Sequence, residues 1–278
     1  MTKLFSTKGV GLSAISLLVG ALFIFPFYWM ASTALKPNAD VLSNDYDLLP
    51  ARITVANFGD AIDRPFFLSS LTNGLIVSLT AVGAAVLAAL LSAIPLSRLK
   101  FRGRKGFLLL VMISQLAPLE ALFIPLFLIM NDLDLLNTLF SMILVYFGAV
   151  LPFSVWTLRG FVSGIPVELE EAAMVDGCTR WGAFRRVTLP LLGPGLVATS
   201  VFGFITAWNE FLYALVFTSA DANLQTLPVW LNGFTGNQAT EWGTAMAASV
   251  IFTVPVLIFF LIVQRNLVAG VTAGAVKG

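Results

Sequence analysis

The sequence predicts an all-α polytopic membrane protein with six transmembrane helices, and three observations carry that prediction. Hydrophobic residues fill 58% of the 278 positions and charged residues 11%. With a mean hydropathy of +0.91, this lies far from soluble-domain composition. Six stretches reach the length of about 20 apolar residues that a membrane helix needs: residues 9–35, 65–97, 106–131, 135–158, 187–209 and 242–264. Only the third contains a charge, Glu120. Finally, thirteen of the sixteen basic residues fall on one side of these spans. By the positive-inside rule that side is cytoplasmic and holds both termini.

Each element has its own justification. Lys3 and Lys8 precede the first span, and Ser32-Thr33-Ala34 at its end are small, as at a signal-peptide cleavage site. Its apolar run nevertheless exceeds the roughly 7–15 residues of a signal h-region, so a retained helix is expected. Residues 36–64 form an external segment rich in Asp, Asn and Pro, too polar for a domain yet too long to be structureless. The second span ends in a basic turn, Arg98, Lys100, Arg102, Arg104 and Lys105. That turn reads as a topology anchor or as a contact for anionic lipid headgroups. In the third span Pro118 and Pro125 flank Glu120 and remove backbone donors, which can open the helix. The fourth span leads into a cytoplasmic loop at 159–190, and the fifth ends in Trp208-Asn209-Glu210. The sixth ends before a tail at 265–278.

Some chemistries are excluded. With no His and one Cys, Cys178, there is no imidazole zinc site, intramolecular disulfide or Cys-His nucleophile. No Gly-x-x-x-x-Gly-Lys-Ser/Thr loop is present, so the chain is not expected to hydrolyse ATP by itself. An intramembrane enzyme finds no support, and no nucleic-acid partner is expected.

The loop is the most specific segment. Pro166 suits the first turn of a helix, and Glu168, Glu170 and Glu171 lie at its positive end. Leu169, Ala172 and Ala173 form a small face, Gly177 after Asp176 suits a left-handed stop, and Thr179 caps a second short helix. Glu171-Ala172-Ala173, then Gly177, Val187 and Leu189-Pro190, resembles the EAA loop of the membrane subunits of ATP-binding-cassette (ABC) importers, with Val187 where the family usually has Ile. From about residue 57 onward the chain is similar to the carbohydrate-uptake, MalG-like branch of these permeases. The resemblance includes Leu158-Arg159-Gly160-Phe161, Ala207 to Leu212 and the tail from Gly270 to Gly278.

That resemblance implies a type I importer fold and a single permease domain over 1–278. The first span and external loop would occupy 1–64, and the core spans 65–264. It implies two cytoplasmic ATPases holding ATP and Mg, a second permease as the partner in a heterodimer, and an external sugar-binding protein. No cofactor is expected on this chain, which would sit in a prokaryotic plasma membrane. By resemblance, Glu171 contacts the ATPase, with Ala172, Ala173, Asp176, Gly177, Leu189 and Pro190 shaping the loop. The external segment with Trp230, Asn232, Phe234, Asn237 and Gln238 resembles a binding-protein contact.

Acids at membrane depth are candidate functional groups because placing them there is costly. Glu120 is read as a pathway residue, or as a group that pairs with a partner subunit or stays protonated. Trp208, Asn209 and Glu210 offer an aromatic face beside polar groups, as a sugar requires, or form an interfacial belt. The alternative to the importer is an ATPase-independent carrier or channel that uses Glu120.

Overall fold

The computed structural model describes residues 7–41, 48–234 and 241–274, and all regular structure among them is helical. Asp45, Asp47, Asn237, Gln238, Lys3 and Lys277 lie outside the described residues. The elements are α1 (Thr7–Ala34), α2 (Asn38–Val41), α3 (Ala56–Ile62), α4 (Phe67–Arg98), α5 (Arg104–Ser114), α6 (Phe123–Asp132) and α7 (Leu139–Gly164). They continue with α8 (Val167–Val175), α9 (Arg180–Ala183), α10 (Leu189–Leu191), α11 (Gly193–Trp208), α12 (Leu212–Phe217), α13 (Leu227–Asn232) and α14 (Trp242–Gly274).

Four helices are long and apolar enough to cross a bilayer, over Gly11–Ala34, Phe67–Arg98, Leu139–Gly164 and Trp242–Val263. Two bent pairs bring the number to six: Arg104–Ser114 with Leu119–Asp132 at 92°, and Arg180–Leu191 with Gly193–Trp208 at 64°. Both bends have a proline cause. Pro118 has an extended ψ of 132° and no N–H, so the ladder stops before it and restarts as a 3₁₀ turn, Leu119–Leu122. Pro194 cannot donate to the carbonyl of Pro190, and α10 gives way to α11 at Leu192.

Several boundaries differ from the sequence expectation. The fourth span starts at Leu139, where Thr138 accepts from the Ser141 N–H at 3.3 Å. It runs on through Gly164, so the first residues of the expected loop are helical. The tail is helical to Gly274, because no proline follows Pro255 to interrupt it. The external segment contains α2 and α3.

The chain groups into two compact units, one of residues 1–67 with 231–254 and the other of 68–230 with 255–278. In the first, Asn57 donates to the carbonyls of Ala34 (2.8 Å) and Lys36 (2.7 Å), and Asn38 accepts from the Gly243 N–H (2.8 Å). Arg64 pairs with Glu241 at 3.3 Å and lies over the Phe234 ring at 4.0 Å. These bonds satisfy the polar backbone of the connections. Along α1, Leu12, Ile15, Leu22 and Phe23 are exposed.

The second unit holds the core. Along α4, Val77, Ala81, Ala85, Ala89 and Ala93 recur every fourth residue and are fully buried. On α11, Gly195, Thr199, Gly203 and Ala207 repeat the spacing and are buried too. A Cβ on Gly195 would lie 2.6 Å from Phe161 Cγ, and one on Gly203 would lie 2.8 Å from Val150 Cγ1. Small residues at this spacing let α11 approach α7 closely, the form of contact that dispersion favours between helices in lipid.

Candidate functional site

The loop between the fourth and fifth spans is built around α8. Pro166 takes the N-cap position and not the first helical one. At the other end Gly177 adopts φ +90°, with the Cys178 N–H on the Ala173 carbonyl (3.0 Å) and the Gly177 N–H on that of Met174 (3.1 Å). This is the Schellman arrangement, in which a left-handed glycine ends the helix. Thr179 then caps α9 by accepting from Gly182 N at 3.1 Å. A π-helical turn, Phe184–Thr188, leads through Leu189 and Pro190 of α10 into the fifth span.

Adjacent glutamates on α8 have opposite fates. Glu171 is exposed and makes no hydrogen bond among the described residues, and Ala172 beside it is exposed as well. Ala173 is half-buried and Asp176 exposed. Val175 (87% exposed) adds apolar area one turn on from Glu171, and Trp181 of α9 is also exposed (65%). Glu170, in contrast, turns inward. Its Oε1 accepts from Arg98 Nε (3.1 Å), Arg98 Nη2 (2.8 Å) and Thr188 Oγ1 (2.8 Å). Between α8 and the end of α4 lies a cavity of about 460 Å³ lined in part by Pro95, Arg98, Glu170, Met174 and Thr188, and Glu171 stands exposed at its border.

The bent spans carry the other candidates. Glu120 sits in the 3₁₀ turn of the third span, exposed and without a hydrogen bond among the described residues. Glu210 follows the end of α11, and both its oxygens are occupied. Oε2 accepts from Tyr146 Oη (2.6 Å) and from the Ala214 N–H (3.2 Å), and Oε1 accepts from the Tyr213 N–H (3.0 Å). The carboxylate thus serves the free N–H groups at the start of α12, where negative charge is favoured. Tyr213 links the two acids, because its hydroxyl donates to the Leu119 carbonyl at 2.7 Å. Tyr146 and Tyr213 were not singled out in the sequence. Their signal was that two of only four tyrosines stand in otherwise apolar segments.

Trp208 is 1% exposed, stacked on Phe204 at 5.6 Å and close against Gly74. Its face is therefore enclosed by the protein, while the Asn209 amide donates to the Ile205 carbonyl at 2.9 Å. Trp230 and Phe234 are buried and Asn232 is exposed. A further cavity of about 500 Å³ runs beside the bend of the third span, lined among others by Gln115, Leu119, Pro152, Phe153 and Thr206.

Six helical spans, two of them bent, with a helix held out on a loop before the fifth, define a polytopic membrane transport subunit. A family model described as the binding-protein-dependent transport system inner membrane component matches residues 81–273. The chain is 46% identical over 276 residues to the diacetylchitobiose uptake system permease protein DasC of Streptomyces coelicolor, covering 99% of each chain. It is 39% identical over 280 residues to the sulfoquinovosyl glycerol transport system permease protein SmoH of Agrobacterium fabrum, covering 100% of this chain and 97% of that one. Its fold is similar to that of a chain in a bacterial ABC transporter for import of the acidic polysaccharide alginate. That match has a TM-score of 0.79 and 23% identity, over 95% of this chain and 99% of the other. The chain belongs to the family of inner-membrane components of binding-protein-dependent transport systems.

Proposed function

We propose that this chain is the permease subunit of an ATP-driven importer for a small sugar or glycoside. It forms half of the translocation pathway and couples ATPase closure to alternating access through α8. The observation that supports the coupling role is the exposed face of α8, where Glu168, Glu171, Ala172 and Val175 follow one another at helical spacing. Such a surface, small and apolar residues beside carboxylates, suits a cleft on a separate ATPase. ATP and Mg belong to that partner. A second permease, in a heterodimer, and an extracytoplasmic sugar-binding protein complete the assembly. Both termini and α8 face the cytoplasm, as the basic residues direct.

The sugar assignment draws on the relatives, two of which are named for uptake of glycosides. No basic residue lies mid-span, which favours a neutral sugar. Coupling requires that ATP-bound ATPases bind one arrangement of the spans better than the other, since a ligand shifts an equilibrium only by that difference. Glu120 is exposed at the bend of the third span, which supports a role for its carboxylate in meeting solute or water in the pathway.

The test is purification from the native membrane in mild detergent, followed by mass spectrometry and uptake into vesicles. The expected result is a complex with a Walker-motif ATPase and a second six-span chain, and with ATP-dependent sugar uptake. A stable chain that purifies alone and moves solute without ATP would overturn the proposal.

A further inference from the structure

The loop and the spans meet at one carboxylate oxygen. Glu170 Oε1 receives two bonds from Arg98, the last residue of α4, and one from Thr188, the last residue of the π-helical turn that opens the fifth span. Arg98 Nη2 also donates to the Ile165 carbonyl, just past the end of α7, at 3.0 Å. Ser97 adds a second tie to α7 by donating to the Arg159 carbonyl at 3.2 Å. The Arg98 and Glu170 side chains are 14% and 21% exposed, and Thr188 is 1% exposed. Charge-assisted bonds in such a partly dry site are stronger and better directed than those on an open surface.

Besides this oxygen, α8 is held by its ends, at Pro166 and at the Gly177 turn, and by packing on α9 and the π-helical turn. Packing of that kind is not directional, and it lets a helix slide when its outer face is pulled, so that part of the pull is lost before it reaches the spans. The oxygen removes that freedom, because it fastens the middle of α8 to two spans and, through Arg98, to the end of a third. The π-helical turn ending at Thr188 fits this role, since such turns interrupt a regular helix at sites of function.

We infer that Arg98, Glu170 and Thr188 are positioning residues that make α8 and the cytoplasmic ends of the second, fourth and fifth spans move as one body. Glu171 meets the ATPase, while Glu170 carries its movement inward. The inference rests on the coupling role proposed above for α8.

The experiment uses the assembled complex in lipid vesicles and reads ATP hydrolysed per sugar taken up, with the amount of co-purifying ATPase as a control. Glu170→Ala is expected to keep the ATPase bound and hydrolysing, while ATP per sugar rises about tenfold, as loss of charge-assisted bonds implies. Thr188→Val removes one bond with little change of shape and is expected to raise the ratio about threefold. If Glu170→Ala fails to accumulate, Thr188→Val decides the matter. An unchanged ratio in the variants that assemble would overturn the inference. So would loss of the ATPase from Glu170→Ala, because it would make Glu170 part of the docking surface. Failure of the coupling role itself is separate, since the unmodified chain would then show no ATP-dependent uptake.

Discussion

Glu170 and Glu171 are neighbours in sequence and about 100° apart around α8, whereas Glu120 and Glu210 lie far apart in the chain and are linked through Tyr213. Both regions divide two glutamates in the same way. One carboxylate is engaged by the protein, Glu170 in the loop through one oxygen and Glu210 beside the bent spans through both. The other is exposed without a hydrogen bond among the described residues, Glu171 in the loop and Glu120 at the bend. An engaged carboxylate holds backbone and spans in place, and an exposed one is available to a partner or solute. Residue type alone therefore separates nothing here, and surroundings decide.

Glu210→Ala is expected to have the largest effect on the protein itself. It strips a partner from the Tyr146 hydroxyl and from two N–H groups of α12, at roughly 1–3 kcal/mol for each group left buried and unsatisfied. Membrane abundance, read by immunoblot, should fall steeply. Normal abundance with lost uptake would instead make Glu210 a transport group and erase the contrast with Glu120.

Glu171→Lys is expected to leave abundance intact and abolish coupled uptake, by opposing charge at the ATPase cleft. Uptake assays beside the same immunoblot check this, and normal uptake would remove Glu171 from the coupling role. Glu120→Gln keeps size and polarity while removing the charge. It should lower uptake more than abundance, and equal losses in both would place Glu120 with the structural acids. The smallest change is Tyr146→Phe, which removes one of the bonds to Glu210 at a cost of about 1 kcal/mol. Thermal unfolding in detergent should shift by a few degrees at most, and a collapse as deep as that of Glu210→Ala would show that the tyrosine, more than the two N–H groups, holds the carboxylate.

The loop was readable because its information is local. Helix start, exposed face and stop all lie between Pro166 and Gly177, and the φ of +90° at Gly177 is what its place after Asp176 suggested. What the loop's sequence did not disclose was the division between Glu170 and Glu171. That division depends on Arg98, an arginine that reads from sequence as one of five basic residues in a topology anchor. Around the bent spans the reading was less complete. Pro118 marked the bend, yet Trp208, offered as a sugar-facing ring, packs against Gly74 and Phe204. The fourfold spacing of small residues on α11 was present in the sequence and brings α11 close to α7, while Gly74 of α4 leaves the space that the Trp208 ring fills.

The number and class of spans, the broken third span and the form of the loop around α8 were determined by the sequence itself, because hydropathy, proline and short-range capping act within one helix or turn. The tertiary structure alone decided which carboxylates are engaged and which are presented. A hydrogen bond depends on where distant helices place their donors, and Arg98, Tyr146 and Thr188 reach their acids only once α4, α7 and the fifth span have packed.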